Sequence, residues 1–174
     1  MISPPVGATG VVAEPAGRLA GLRLAWLRLA ARGRLEVRGR VGVERGARVR
    51  VALGARVLLD DGCVLAEGCR IEANGGTVRI GPGARLGARS VLVAHAGIDV
   101  GAGCVVGEWA MIADAEPTFD DPERPTRLQP LRSAPVRVGD GARLASHAIV
   151  GAGAVIAAGE VVAPYETRAP RSTS

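Results

Sequence analysis

The sequence has no lysine and almost no aromatic side chains: its 22 basic residues are all arginine, and two Trp, one Tyr and one Phe are its only rings besides two histidines in 174 residues. So few rings exclude a core built on bulky side chains, and the interior must be packed from Ala, Val, Leu, Ile and Gly in thin, regular layers. The same scarcity removes the stacking platform that single-stranded nucleic acid requires. The arginines are scattered rather than gathered in a patch, so the net charge of +5 does not indicate a nucleic-acid partner. Cysteine is scarce as well. Cys63, Cys69 and Cys104 are odd in number and lack CxxC spacing, which excludes a disulfide scaffold and a zinc knuckle and suits small core residues in a reducing cytoplasm. With only His95 and His147, a three-histidine zinc site is excluded, and no metal is expected. Long apolar runs are missing, and "MISPPVGATG" lacks the charged-then-apolar order of a secretion signal, so the expectation is a soluble protein.

What the chain does have is a period of six. From residue 138 it reads VGDGAR, LASHAI, VGAGAV, IAAGEV, VAPYET, and the same frame appears from 59, 80 and 100. An aliphatic residue leads each unit (Leu59, Leu65, Ile71, Ile80, Leu86, Leu92, Val100, Val106, Ile112, Val138, Leu144, Val150, Ile156 and Val162), and the fifth position is mostly small, Gly75 and Ala96 among them, which suits a residue tucked at an inner corner. No α-helix sustains a period of six, because its faces repeat at 3.6. Short strands joined by tight turns do, if the leading aliphatics point inward from a three-sided coil, with three hexads to a rung. Glycines at 81, 83, 101, 103, 139, 141, 151 and 153 fit corners that need unusual dihedrals or close backbone approach. Ahead of the repeats, "GRLAGLRLAWLRLAARGRL" spaces Leu19, Leu22, Trp26 and Leu29 on one side of a helix, with Arg18, Arg28 and Arg32 in a wedge opposite Leu27. A cap over the first rung is the favoured use of this helix and contact with a membrane surface the less favoured one, because Arg23 interrupts the apolar arc. The expected organisation is a flexible N-terminus at 1–16, a helix at 17–33, a coil at 34–167 and a tail at 168–174.

Between Ile112 and Val136 the hexads stop. The excursion at 113–135 contains "ADAEPTFDDPERP", with the chain's only Phe, and further prolines at 130 and 135. Its length and its prolines suggest a defined functional loop.

The hexads, over about residues 41 to 165, resemble those of the hexapeptide-repeat acyltransferases. That resemblance implies an all-β fold, a left-handed parallel β-helix with an N-terminal capping α-helix. Within the family, the excursion resembles the loop of the sugar O-acetyltransferases of the maltose and galactoside type, on Asp114, Glu116, Phe119, Asp121, Pro122, Pro125, Gln129 and the return "VRVGD". The resemblance implies a homotrimer with a cleft between subunits, covered by the loop. It also implies acetyl-CoA or another acyl-CoA as co-substrate, a sugar-like small-molecule acceptor, and transfer to a hydroxyl or, second, to an amine. In the family a histidine of this loop is the general base, and the matching position here is Pro117, which carries no proton acceptor. His95, in "VLVAHAGIDVG", is the candidate replacement, oriented by Asp114 or Glu116, beside the reading of a corner histidine that serves structure alone, and either carboxylate is itself an alternative base. His147 reads as an exposed coil position. Five hexads follow the loop where the family commonly has six. The resemblance assigns coenzyme A, loosely, to Ala145, Ser146, Ala157, Ala158 and Arg168, with Arg171 a further phosphate candidate. A non-catalytic trimeric binding or assembly module that has lost its base is the alternative function.

Overall fold

The computed structural model describes residues 18–118, 123, 125 and 128–170, so the segment 1–16, Arg171, and Phe119, Asp121 and Pro122 of the excursion lie outside the described residues. A single helix, α1 (Arg18–Ala30), precedes a coil with three flat faces. The first face stacks β1 (Leu35–Val37), β4 (Arg56–Leu59), β7 (Thr77–Ile80), β10 (Gly97–Val100), β15 (Val136–Val138) and β18 (Val155–Ile156). On the second lie β2 (Gly42–Val43), β5 (Val64–Leu65), β8 (Arg85–Leu86), β11 (Val105–Val106), β16 (Arg143–Leu144) and β19 (Val161–Val162). The third holds β3 (Arg48–Val51), β6 (Arg70–Ala73), β9 (Val91–Ala94), β12 (Met111–Ala113), β17 (Ile149–Val150) and β20 (Thr167–Arg168). All pairings within the faces are parallel, and six strands per face make six rungs of a left-handed parallel β-helix.

The period of six produces this coil because every leading aliphatic points inward: all fourteen, from Leu59 to Val162, are buried. The glycines divide between two tasks. Gly83, Gly103, Gly141 and Gly153 have φ between 62° and 73°, a region costly for other L-residues. Gly81, Gly101 and Gly139 have ordinary φ, but a Cβ on them would fall within 2.9 Å of backbone atoms in the next rung. The cysteines are also accounted for by register. Val64 pairs with Arg85 and Arg85 with Val105, which puts Cys63, Ala84 and Cys104 in one column. Two rungs at strand spacing, about 10 Å, separate the two sulfur-bearing residues, too far for a disulfide. All three thiols are free and buried, and burial first, then nearby acidic groups, pushes Cys63 and Cys69 up to about 12.

Two expectations are corrected. At the corner between the third and first faces, strands of four residues lengthen the unit, so Ala73, Ala94, Val78 and Ile98 fill the core. Gly75 and Ala96, expected at inward small positions, instead sit half-buried and exposed on the corner itself. Helix α1 caps the first rung with Leu27, buried, and with Leu24 packed beside it, and Ala31, just past the helix end, is buried there too. The apolar side grouped from spacing faces the other way: Leu22, Trp26 and Leu29 are exposed. The rung's open end is narrow, and a leucine, an alanine and one partner cover it. Arg23 and Arg28 hold the helix there by donating to the first-rung carbonyls of Val43 and Val37, each at 3.4 Å.

Candidate active site

His95 and Asp114 meet at the corner between the third and first faces, on successive rungs. Asp114 directly follows β12, where the excursion leaves the coil, and is completely buried. Its carboxylate accepts three backbone amides of the rung below. Oδ1 takes that of His95 at 2.7 Å, and Oδ2 takes those of Ala96 at 2.8 Å and Gly97 at 2.5 Å. Three N–H groups converging on one carboxylate form an anion-holding concavity that fixes the turn carrying His95. The Asp114 carbonyl also accepts from Ala134, which pins the returning end of the excursion to the same point. Asp114 is thus committed to holding the corner, and with no exposed atom it positions His95 rather than meeting a substrate.

The His95 side chain is about one third exposed. Its Nδ1 is buried without a hydrogen-bond partner and lies 3.8 Å from Asp114 Oδ1, longer than a hydrogen bond and within reach of a small rotation of the ring. Its Nε2 lies 3.5 Å from the Asn74 amide nitrogen on the preceding rung, a contact at the outer limit. One ring nitrogen thus lies toward a buried carboxylate while the side chain stays partly open to solvent.

The excursion begins and ends as an antiparallel arm, β13 (Ala115–Pro117) against β14 (Leu131–Ser133), with Glu116 opposite Arg132 and Pro117 opposite Leu131. Glu116 is exposed on this arm beside the His95 corner. Thr118 donates to the Pro130 carbonyl at 2.9 Å and prolongs the arm past the proline, which has no N–H to give.

The residues assigned to coenzyme A do not form one cluster. Ala145 and Ser146 turn the corner between the second and third faces on the fifth rung, whereas Ala157 and Ala158 turn the corner between the first and second faces on the sixth. A shallow groove of about 470 Å³ along the first face, lined by Arg79, Asp99, Arg137 and Asp140 among others, ends at Ile156 next to Ala157. Arg168 closes β20 on the face that carries His95. The column Leu92, Ile112, Val150, Arg168 spans three rung steps, about 14 Å. Arg168, about one third exposed, lies beside Glu160 at 3.2 Å and Glu166 at 2.9 Å.

Spacing missed one feature. At the corner between the second and third faces, Arg89, Trp109, His147 and Tyr165 occupy the left-handed region with φ of 56°, 58°, 62° and 61°. The three rings stack with nearly parallel planes, Trp109 to His147 at 6.4 Å and His147 to Tyr165 at 4.8 Å, and the Arg89 guanidinium lies 5.2 Å from the Trp109 ring centre. His147 is therefore exposed, as expected, but as the middle of a ladder. The available signal was the fourth position of each hexad, which is glycine in LAEGCR and VGAGCV and one of these four residues at steps of about one rung.

No protein-family model and no curated protein matches the chain. Among solved structures, it is similar to a variant of AntD, an N-acyltransferase from Bacillus cereus in complex with dTDP and coenzyme A, at 15% identity over 71% of this chain and 73% of that one, with a TM-score of 0.53. A second AntD variant, in complex with dTDP-4-amino-4,6-dideoxyglucose and coenzyme A, is 18% identical over 76% and 71%, with a TM-score of 0.48. PerB from Caulobacter crescentus, in complex with coenzyme A and GDP-perosamine, is 19% identical over 83% of this chain and 60% of that one, with a TM-score of 0.32. At these identities the likeness is one of fold.

Proposed function

We propose that the chain is an acyltransferase that moves an acetyl or other short acyl group from coenzyme A to an amino or hydroxyl group of a sugar-like acceptor. The observation that carries this reading is the His95 corner: a partly exposed imidazole backed by a fully buried carboxylate, at the point where the arm leaves the coil. With Nδ1–H turned onto Asp114 Oδ1, Nε2 keeps its lone pair and takes the proton from the acceptor's nitrogen or oxygen as that atom attacks the thioester carbonyl. The carbon–sulfur bond then breaks and the thiolate of coenzyme A departs, with no covalent intermediate on the protein. Much of the rate therefore comes from holding two substrates in line. Asn74, within reach of the ring edge, steadies its plane, and Glu116 on the arm meets the acceptor.

The fold shared with an N-acyltransferase that binds dTDP and coenzyme A supports the reaction class and raises the amine to an equal candidate beside the hydroxyl. Pro117 removes the loop histidine of the O-acetyltransferases, which favours a base on the coil. A homotrimer fits the outward column Val91, Met111, Ile149 on the third face, apolar and partly exposed, which begins on the strand that leads into His95. Coenzyme A lies along the C-terminal rungs past Ala145 and Ser146, whose corner opens onto the face of Arg168, with Arg168 exchanging its carboxylate partners for phosphate, while Ala157 and Ala158 stand on another corner. Calorimetric titration with acetyl-CoA tests the reading without knowledge of the acceptor. Saturable binding, weakened by Arg168→Ala and unchanged by His95→Ala, is the expected result, and no binding at millimolar ligand would favour the non-catalytic module.

A further inference from the structure

We propose that α1 docks the protein on an anionic lipid surface, lying in the interface with its outward side buried among the headgroups. The cap uses only one side of the helix, through Leu27 and Leu24, with Ala31 just past the helix end. The opposite side presents Leu22, Trp26 and Leu29, spaced by four and three residues and 68%, 65% and 78% exposed. Covering the first rung leaves these three with nothing to pack against, although they include one of the chain's two tryptophans. Beside them a cavity of about 910 Å³ opens between the helix and β3, lined by Leu22 and Trp26 on one wall and Val49 and Val51 on the other.

Charge identifies the occupant. Between Glu14 and Glu36 the sequence has no acidic residue, yet it has arginines at 18, 23, 28, 32 and 34; Arg23, Arg28 and Arg34 each donate to a backbone carbonyl and keep their charge, so no carboxylate of this stretch offsets the cationic flank. Arg48 and Arg50 of β3 line the cavity as well. One carboxylate, Glu44, borders it, and that carboxylate is already engaged by the Glu67 amide at 2.9 Å and by Arg85 at 3.7 Å. A second copy of the chain would bring the same cationic flanks together, whereas an anionic bilayer takes up the leucines and tryptophan below its headgroups and the arginines among its phosphates. The helix has 13 residues, about 20 Å, and no described helix is long and apolar enough to cross a membrane, so it lies on the surface rather than through it.

The test is co-sedimentation of the full chain with vesicles of equimolar phosphatidylglycerol and phosphatidylcholine, and with vesicles of phosphatidylcholine alone. Binding to the first and not the second is expected, together with loss of binding in the combined variant Leu22→Ser, Trp26→Ser, Leu29→Ser. Those side chains are exposed, so the variant should keep its thermal midpoint, and that measurement reports whether it folds. Should it fail to fold, Arg32→Gln takes its place, with about fivefold weaker binding for the one arginine removed and a decline with added salt. Failure of the unaltered protein to sediment with anionic vesicles overturns the proposal, as does equal binding by the folded variant. A drop in solution mass in the triple variant would also overturn it, since the side would then belong to a second copy.

Discussion

Replacing Asp114 by Asn keeps the shape of the side chain and removes its ability to accept hydrogen bonds on both ends. The carboxylate takes two amides on Oδ2 and one on Oδ1, with none of its surface in water. The best placement of an amide there keeps its oxygen on Ala96 and Gly97 and turns its NH2 group against the His95 N–H. One buried amide then loses its acceptor, at about 1–3 kcal/mol, and two charge-assisted bonds become neutral, at about 1 kcal/mol each. The sum, roughly 3–5 kcal/mol, is a large share of the ~5–15 kcal/mol that holds a domain of this size. The control is Asp140→Asn, since Asp140 is exposed and its carboxylate accepts one backbone amide among the described residues, that of Ala102 at 2.8 Å. Urea denaturation of both variants should give a midpoint shift for Asp114→Asn several times that of the control. Equal shifts, or a loss below about 1 kcal/mol at Asp114, would refute the view that this carboxylate organises the corner.

The two kinds of glycine should respond differently to alanine. Gly107→Ala puts a Cβ 2.6 Å from the backbone of Ala145 and Ser146 and should cost about 3 kcal/mol or more in thermal or urea melts, against about 1 kcal/mol for Gly103→Ala, where space is open and only the φ of 62° is at issue. The buried thiols make stability fall with alkalinity. Cys63 and Cys69 titrate near 12 when folded against an ordinary 9.0, so the unfolded chain gives up protons first and stability declines between those values. The slope is about 1.4 kcal/mol per pH unit per thiol, and urea midpoints compared between about pH 8 and pH 10 should drop less in Cys63→Ala/Cys69→Ala. Thiol labelling of the native protein should be slow and should become fast in denaturant. In the ring ladder, His147→Ala keeps the left-handed corner and loses both stacking contacts, so it should lower the melting midpoint by more than His147→Gly, which relieves the backbone at the same time.

Periodicity made most of the fold legible because a β-helix repeats one local decision: an inward aliphatic, a corner, another inward aliphatic. Leu59, Ile80 and Val100 each announce a rung on their own. The side of α1 that faces the coil was not legible, since spacing groups apolar residues without saying which group a narrow rung end accepts, and Leu27 and Ala31 won over the larger set. For the site, the proximity of His95 and Asp114 was readable because one rung separates them, whereas the engagement of Asp114 by three amides was not. A carboxylate's partners across rungs depend on where the corner turns, and the lengthened corner at 94–97 is what points those amides at it. Ala145 and Ala157, both assigned to coenzyme A by resemblance, stand on different corners, because two hexads advance the chain by two faces.

The most direct measurement is release of coenzyme A thiol from acetyl-CoA in the presence of nucleotide-linked amino sugars and simple sugars, with the unaltered protein and His95→Ala side by side. Saturable, acceptor-dependent release by the unaltered protein, reduced about a hundredfold or more in His95→Ala while calorimetry shows acetyl-CoA still bound, is the expected result. Release that persists undiminished in His95→Ala would contradict the role given to that corner. Binding of acetyl-CoA with no release to any acceptor would instead mark a coil that kept the shape of an acyltransferase without the reaction.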